Sequence, residues 1–332
     1  MIVPEFWAEG RIQRKTAERQ ITVRRYGWSD ISLEDAQHQA DQRVREAFGR
    51  IVSGEKLPRR EKKLGYSGAD GHPIREEIVD RLGDNVVTRN SYGAQCLNTP
   101  NVLFADIDYP GSIAGNCSII LLGIVLGIST SVAVMSLVSN WNIARLLGLI
   151  SLLVIPVAFP FLIDAICQLS INLRGGADQV IKTRIEKFVN LHPQWHLRQY
   201  QSPNGCRLLA MHQTFDPRAE DVQRAFRVLG VDSTYAIMCQ KQNCFRARLT
   251  GKPWRMGYNP DIYLGRGVWP VAEPQLSKRK RWITEYEAVS ADFASCQYLA
   301  SYGATHSVCE EARAVCDIHD AACKALEDLQ LA

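Results

Sequence analysis

The chain lacks most of the short motifs that announce a known chemistry. It has no Walker-type loop, no dinucleotide glycine pattern and no catalytic Ser/His/Asp order. The usual sequence arguments for a P-loop NTPase, a Rossmann enzyme or a triad hydrolase therefore have nothing to rest on. Its ten cysteines include no C-x-x-C pair. The opening stretch MIVPEFWAEGRIQRK has no apolar h-region, so no secretory signal peptide is expected. Repeats and low-complexity segments are missing as well. The net charge of +4 over 332 residues is too small to imply nucleic-acid binding by itself, so the grouping of the basic residues matters more than their sum.

Charge is missing altogether from two long stretches. Ser118–Val138 reads SIILLGIVLGISTSVAVMSLV and Leu146–Ile163 reads LLGLISLLVIPVAFPFLI. Each approximates the ~20 residues that cross ~30 Å of hydrocarbon as a helix. The alternative, a buried helix pair in a large soluble core, is disfavoured by the total absence of charge. Gly123-x-x-x-Gly127 would admit a closely packed partner helix, Ser129, Thr130 and Ser131 could hydrogen-bond across to it, and Pro156 and Pro160 would kink the second span. No ionisable group sits mid-span and Asp164 lies at one end, which favours packing over a pore and gives transport little support.

Basic residues flank the pair: Arg174, Lys182, Arg184 and Lys187 follow it, and Arg and Lys are frequent from Arg11 to Arg89 before it. Positive-inside reasoning places both soluble halves and both termini in the cytoplasm, with the Asn-Trp-Asn turn outside and Trp141 at the interface. In that compartment the cysteines are expected as free thiols or metal ligands. The bilayer is thus the one partner the composition implies.

The expected organisation is a soluble N-terminal half (1–112), a transmembrane hairpin (117–167), a soluble C-terminal half (168–285) and a C-terminal helical segment (286–332). In the first half, residues 21–28 alternate as a strand. Asp30 or Ser32 caps a helix to about Val52, with Ala36, Ala40, Val44, Ala47 and Ile51 on one face. Residues 54–73 read as a charged loop, 74–82 as a short helix, and 85–89, 94–97 and 102–107 as strands. In the second half, 177–191 reads as an amphipathic helix. Residues 195–201 and 207–212 are strands around the turn Ser202-Pro203-Asn204-Gly205. Residues 220–229 read as helix, 234–239 and 245–249 as strands, and 288–329 as helix. The class is α+β with a mixed or antiparallel sheet and packed helices, interrupted by the two-helix transmembrane hairpin.

Four groups of residues can carry chemistry. In Leu103-Phe-Ala-Asp106-Ile-Asp108 two carboxylates share a strand face. They would repel unless a divalent metal or a base neutralised them. Oxygen ligands of this kind suit Mg2+ or Mn2+ shared with phosphates. Alternatively, Asp106 pairs with an arginine and Asp108 opens a turn. Around the Ser202–Gly205 hairpin, the loop amides and Arg207 would hold phosphate, with His212 meeting the same anion, or the segment is an ordinary hairpin with a surface histidine.

Arg246 and Arg248 share a strand face, and Lys252 and Arg255 follow beside Trp254. That is either a phosphate or nucleic-acid contact or a charged edge strand. Arg89, in a polar hairpin before the Asp-x-Asp strand, is a further substrate anchor or a plain salt bridge. Lys278–Arg281 reads as a solvated loop or a lipid-headgroup contact.

The fourth group is the heptad-spaced Cys309, Cys316 and Cys323. Zinc could use Cys316, His319 and Cys323 with Cys296 or His306 as fourth ligand; a packed helix face on which Cys serves as a small hydrophobe is the favoured reading.

The order of these motifs, an hhhDhD strand, a Gly turn into a strand ending in His, then basic strands, resembles the archaeo-eukaryotic primase-polymerase superfamily. The resemblance covers roughly residues 85–250 without the hairpin. It implies Asp106 and Asp108 as metal ligands, His212 as the nucleotide contact, and nucleotide or nucleic acid as partner. The third acidic position has no clear match; Asp216, Asp232 and Asp261 remain candidates, and the turn has one glycine where that superfamily often has more. The segments RRYGWSD, TRNSYGAQCLNT, LFADIDYP and FRARLTGKPWR are also similar to a group of bacterial proteins without an assigned activity. Most of these have a soluble linker where this chain has the hairpin. That similarity implies a bacterial inner membrane as the location. Two functions follow as expectations: a membrane-tethered, metal-dependent nucleotide-binding or nucleotidyl-transfer enzyme, or a non-catalytic membrane-anchored binding or scaffold protein.

Overall fold

A computed structural model describes residues 1, 3–15, 20–61, 73–111, 117–258, 269–271 and 273–332. In chain order the elements are β1 (Phe6–Lys15), β2 (Gln20–Ser29), α1 (Leu33–Val52), β3 (Glu77–Leu82), β4 (Asn85–Arg89), β5 (Gln95–Thr99), β6 (Phe104–Asp108), α2 (Cys117–Leu137), α3 (Trp141–Leu173), α4 (Ala177–Leu191), β7 (His196–Ser202), β8 (Gly205–Ala210), α5 (Glu220–Leu229), α6 (Ser233–Gln242), β9 (Phe245–Arg248), α7 (Leu276–Ser290), β10 (Phe293–Ala294), β11 (Gln297–Gly303), α8 (Glu310–Cys323) and β12 (Gln330–Leu331). The class is α+β.

Two compact units result, one of Met1–Ile107 with Phe188–Ala332, the other of Asp108–Lys187. The first is built on two four-stranded sheets, β11-β7-β8-β6 and β3-β4-β5-β9, the second of which is antiparallel throughout. Their apolar strands form the core: Leu97, Phe104, Leu208, Leu209, Phe245 and Ala247 are fully buried. Tyr235 of α6 ties the sheets together, its hydroxyl 3.0 Å from the carbonyl oxygens of both Phe104 and Arg246.

Several elements differ from expectation. A strand, β1, precedes the expected β2 and pairs with it along its whole length, Phe6 opposite Ser29 and Lys15 opposite Gln20. The apolar face of α1 covers this ribbon, and the Ser32 hydroxyl accepts the Asp35 amide as N-cap. Residues 74–82, expected as a helix, contain β3, because Gly83 at φ +62 turns the chain into an antiparallel ladder with β4. Residues 234–239, expected as a strand, lie in α6. Asp232 caps it by accepting the Tyr235 amide at 2.7 Å, and Tyr235, Met238 and Cys239 bury themselves at helical spacing. Residues 288–329, expected as one helix, hold the end of α7, then β10, β11 and α8. Strand β11 supplies the edge of a sheet and Gly303 at φ +79 ends it. The basic run Lys278–Arg281 is helical, within α7, not a loop. The Ser202–Gly205 hairpin forms with Ser202 paired to Gly205.

The second unit contains α2 and α3, both long and apolar enough to cross a membrane. Only 11% of each apolar window is buried, so neither helix is packed as a core helix of the described fold. They pack through small residues: a Cβ added at Gly123 would lie 3.3 Å from Pro156 Cα, one at Gly127 3.1 Å from Pro156 Cδ, and one at Gly148 3.0 Å from Ser131 Oγ. Ser129 and Thr130 turn back onto their own helix, at the carbonyls of Val125 and Leu126, so the expected cross-helix bonds are not theirs. At 33 residues and ~1.5 Å per residue, α3 outruns the hydrocarbon thickness by several turns.

Candidate functional site

One buried polar cluster stands out within the first unit, built where β6, β8 and β9 converge under α8. Arg207 on β8 is 2% exposed. Its Nε donates to Asp106 Oδ1 at 3.0 Å, and its Nη1 donates to the Arg248 carbonyl at 2.9 Å and lies 3.2 Å from His319 Nε2. His319 on α8 has no exposed surface, and its Nδ1 is 3.0 Å from Asp320 Oδ1. Because a guanidinium can only donate, Nε2 of a neutral His319 carries the lone pair and Nδ1–H points at Asp320.

Two thiols complete the cluster. Cys323 lies one helical turn beyond His319, and Cys296 comes from the link between β10 and β11. The ligand atoms of Cys296, His319 and Cys323 all fall within 4.8 Å of one another. Sγ of Cys296 is 3.7 Å from His319 Nε2 and Sγ of Cys323 is 3.6 Å from the Arg248 carbonyl. Burial opposes ionisation of Cys323, but the hydrogen bond with Cys296 and the neighbouring His319 and Arg207 outweigh it and hold this thiol well below its ordinary value. Cys296 is pushed well above, by that same hydrogen bond and by burial.

An outer layer braces this centre. Asp320 also takes Arg198 Nη2 at 2.7 Å, and Arg198 Nε donates to the Tyr200 hydroxyl at 2.8 Å. Burial drives the Tyr200 hydroxyl upward, reinforced by Cys316 and Asp320. Cys316 sits in this layer, 3.6 Å from the Tyr200 hydroxyl and 3.6 Å from Asp320 Oδ2. It therefore stands apart from His319 and Cys323, and Cys296, the fourth ligand in the alternative zinc reading, lies beside them instead. His306 is exposed and outside the cluster, and Cys309 is the first residue before α8.

The other residues singled out in the sequence are dispersed. Asp108 is exposed at the end of β6, two residues beyond Asp106 on the same strand. His212 packs in an aromatic pocket, tilted against Trp195 with ring centroids 4.8 Å apart and edge-on to Phe215 at 5.4 Å. Its Nδ1 accepts the His196 amide at 3.3 Å. Burial lowers the His212 pKa to about 4.

Arg246 binds Asn98 Oδ1 at 3.1 Å and Glu76 Oε2 at 2.6 Å. The Arg248 side chain reaches the carbonyls of Thr250 and Ala332. Arg89, 5% exposed, donates to the Gly93 carbonyl and pairs with Glu287 at 2.5 Å. Lys252 lies 5.6 Å from the centroid of the Trp254 ring, and Arg255 ends the short helical turn Pro253–Arg255. Of the third-acid candidates, Asp216 accepts the Arg218 amide, Asp232 caps α6, and Asp261 falls outside the described residues.

The sequence signal that Asp320 and Arg198 belonged to a site was faint. A His-Asp dipeptide on a helix and an arginine two residues before a tyrosine on a strand carry no spacing rule of their own; only the fold joins them. Comparisons with protein-family models, with curated proteins and with solved structures find no match to the chain.

Proposed function

We propose that this chain is a non-catalytic, membrane-anchored binding or scaffold protein, held to the cytoplasmic face of a bacterial inner membrane by the α2–α3 hairpin. One observation carries the reading. Asp106, the best candidate for a catalytic metal ligand, is the counter-ion of the buried Arg207. The arginines expected to hold phosphate bind protein partners instead: Arg246 an asparagine and a glutamate, Arg89 a carbonyl and a glutamate, and Arg248 two carbonyls. A nucleotidyl-transfer site needs metal-holding carboxylates and phosphate-holding cations facing one substrate space.

The anchoring part follows from connectivity. The first unit draws on chain from both sides of the hairpin, pairing β5 with β9 and β6 with β8. Both flanks must therefore lie on one side of any membrane that α2 and α3 cross, as two spans require. The cations after α3 favour the cytoplasm as that side.

Two measurements test the reading. Reporters fused at Met1 and Ala332 are expected to report cytoplasm and one inserted at Asn140 the opposite face, in a carbonate-resistant membrane fraction; a chain extracted as soluble protein overturns the anchor. Nucleoside triphosphates with Mg2+ or Mn2+ are expected to leave the melting temperature of the detergent-solubilised chain unchanged. A saturable rise that vanishes in Asp108→Asn restores the nucleotide-binding enzyme.

A further inference from the structure

The Cys296–His319–Cys323 centre has the composition and the setting of a metal site that the scaffold reading does not require. Two sulfurs and one imidazole nitrogen form a soft donor set of the kind that selects zinc over magnesium, calcium or manganese. His319 and Cys323 stand four residues apart, one turn of the same helix face, and Cys296 approaches from a different element, so an ion would cross-link α8 to the β10–β11 link. All three residues are at most 1% exposed, as in closed structural sites.

Orientation supplies the second argument. The Nδ1 of His319 is committed to Asp320 Oδ1 at 3.0 Å, and Asp320 is itself fixed by Arg198 at 2.7 Å. That is the carboxylate–histidine arrangement that turns the opposite nitrogen toward a metal and raises its basicity. The opposite nitrogen, Nε2, faces Cys296 and accepts from Arg207 Nη1. Arg207 keeps Asp106 and the Arg248 carbonyl as partners if it yields Nε2.

Charge supplies the third. Asp106 balances Arg207 and Asp320 balances Arg198, so a divalent cation with two thiolates leaves the buried centre neutral, as a low-dielectric interior demands.

We propose that Cys296, His319 and Cys323 bind a structural Zn2+ ion, with Asp320 as the outer carboxylate that orients His319. The fourth position of the tetrahedron falls to the Arg248 carbonyl oxygen, which lies 3.6 Å from Cys323 Sγ. Both sulfurs ligate as thiolates, their protons leaving to solvent on binding, and no electrons are transferred.

The test uses the full chain, purified in detergent without a histidine tag from zinc-supplemented cells. About one zinc per chain is expected. Replacement by Co2+ should give the sulfur-to-cobalt charge-transfer band and the intense visible bands of a tetrahedral site. Cys296→Ser and Cys323→Ser should lose the charge-transfer intensity, and Asp320→Asn should weaken zinc about 10–100-fold. Cys244→Ser, which alters a buried thiol packed with Val3, Ile74 and Val86 away from the centre, should retain full stoichiometry. Zinc well below one per chain together with no cobalt bands in the wild type overturns the site without any variant having to fold. Loss of zinc from Cys244→Ser overturns this ligand set.

Discussion

Arg207 and Asp106 form an ion pair at 3.0 Å in which the arginine is almost wholly buried and the aspartate keeps about a third of its side-chain surface. The two residues come from neighbouring strands of one sheet. The other end of the guanidinium reaches the backbone of β9 in the second sheet and the ring of His319. One side chain thus joins both sheets and α8.

Asp106 and Asp108 should consequently behave very differently on substitution, although the strand presents them as equivalents. Asp106→Asn removes the charge that compensates a buried guanidinium and should cost about 3–5 kcal/mol. Asp108→Asn changes an exposed position, where solvent screens any charge interaction to about 0–1 kcal/mol, and should cost no more than that. Thermal unfolding of the two variants beside the wild type measures the asymmetry. Equal small effects would return both residues to a shared metal-binding role.

Gly27 should tolerate no side chain. A Cβ there would overlap the Ala36 carbonyl oxygen and the Ala40 amide nitrogen, both backbone atoms of α1. The helix lies on the β1–β2 ribbon through this close approach and through the alanines that face it. Gly27→Ala should destabilise by about 1–3 kcal/mol, read as a lowered melting temperature, whereas Gly49→Ala, with open space around its Cβ, should raise it slightly.

Where local pattern and tertiary demand agree, the fold is legible from residues alone. The five apolar positions of α1 and its Ser32 cap, the uncharged runs of α2 and α3, and the Pro-Asn turn between β7 and β8 all belong to this class. Legibility fails where the deciding partner is distant. Strand β3 is an amphiphilic segment whose state is set by its ladder with β4. The β-like TYAIMC becomes helical because the Asp232 carboxylate caps it. The C-terminal stretch hides β11 because its ladder partner, β7, lies about a hundred residues earlier. The candidate site divides in the same way. His319 and Cys323 are visible as an i, i+4 pair, but Cys296 replaces Cys316 only because the chain between α7 and α8 folds back as β10 and β11.

The α2–α3 contact should depend on glycine rather than on hydrophobicity. Gly127→Leu places a branched chain against the Pro156 ring and should separate the helices. Val132→Leu, at a position 63% exposed, should leave them together. Thermal unfolding of the detergent-solubilised chain reports the contact. The melting temperature should hold with Val132→Leu and fall with Gly127→Leu. Equal melting temperatures in both would show that the helices do not meet through this face.

Acid should weaken the fold through His212. Burial among Trp195, Phe215 and His196 lowers its pKa to about 4 from an ordinary 6.5. Between those values the unfolded chain binds a proton that the folded chain does not, so stability rises with pH across the window. The contribution is fully present above about pH 6.5 and is lost as pH falls toward 4. His196 is shifted in the same direction, also by burial, and adds to the slope. His212→Gln removes the titration and should flatten the dependence of melting temperature on pH in that interval, even if it lowers the plateau through lost ring packing. A slope unchanged in His212→Gln would assign the acid sensitivity to another group and put His212 in contact with solvent.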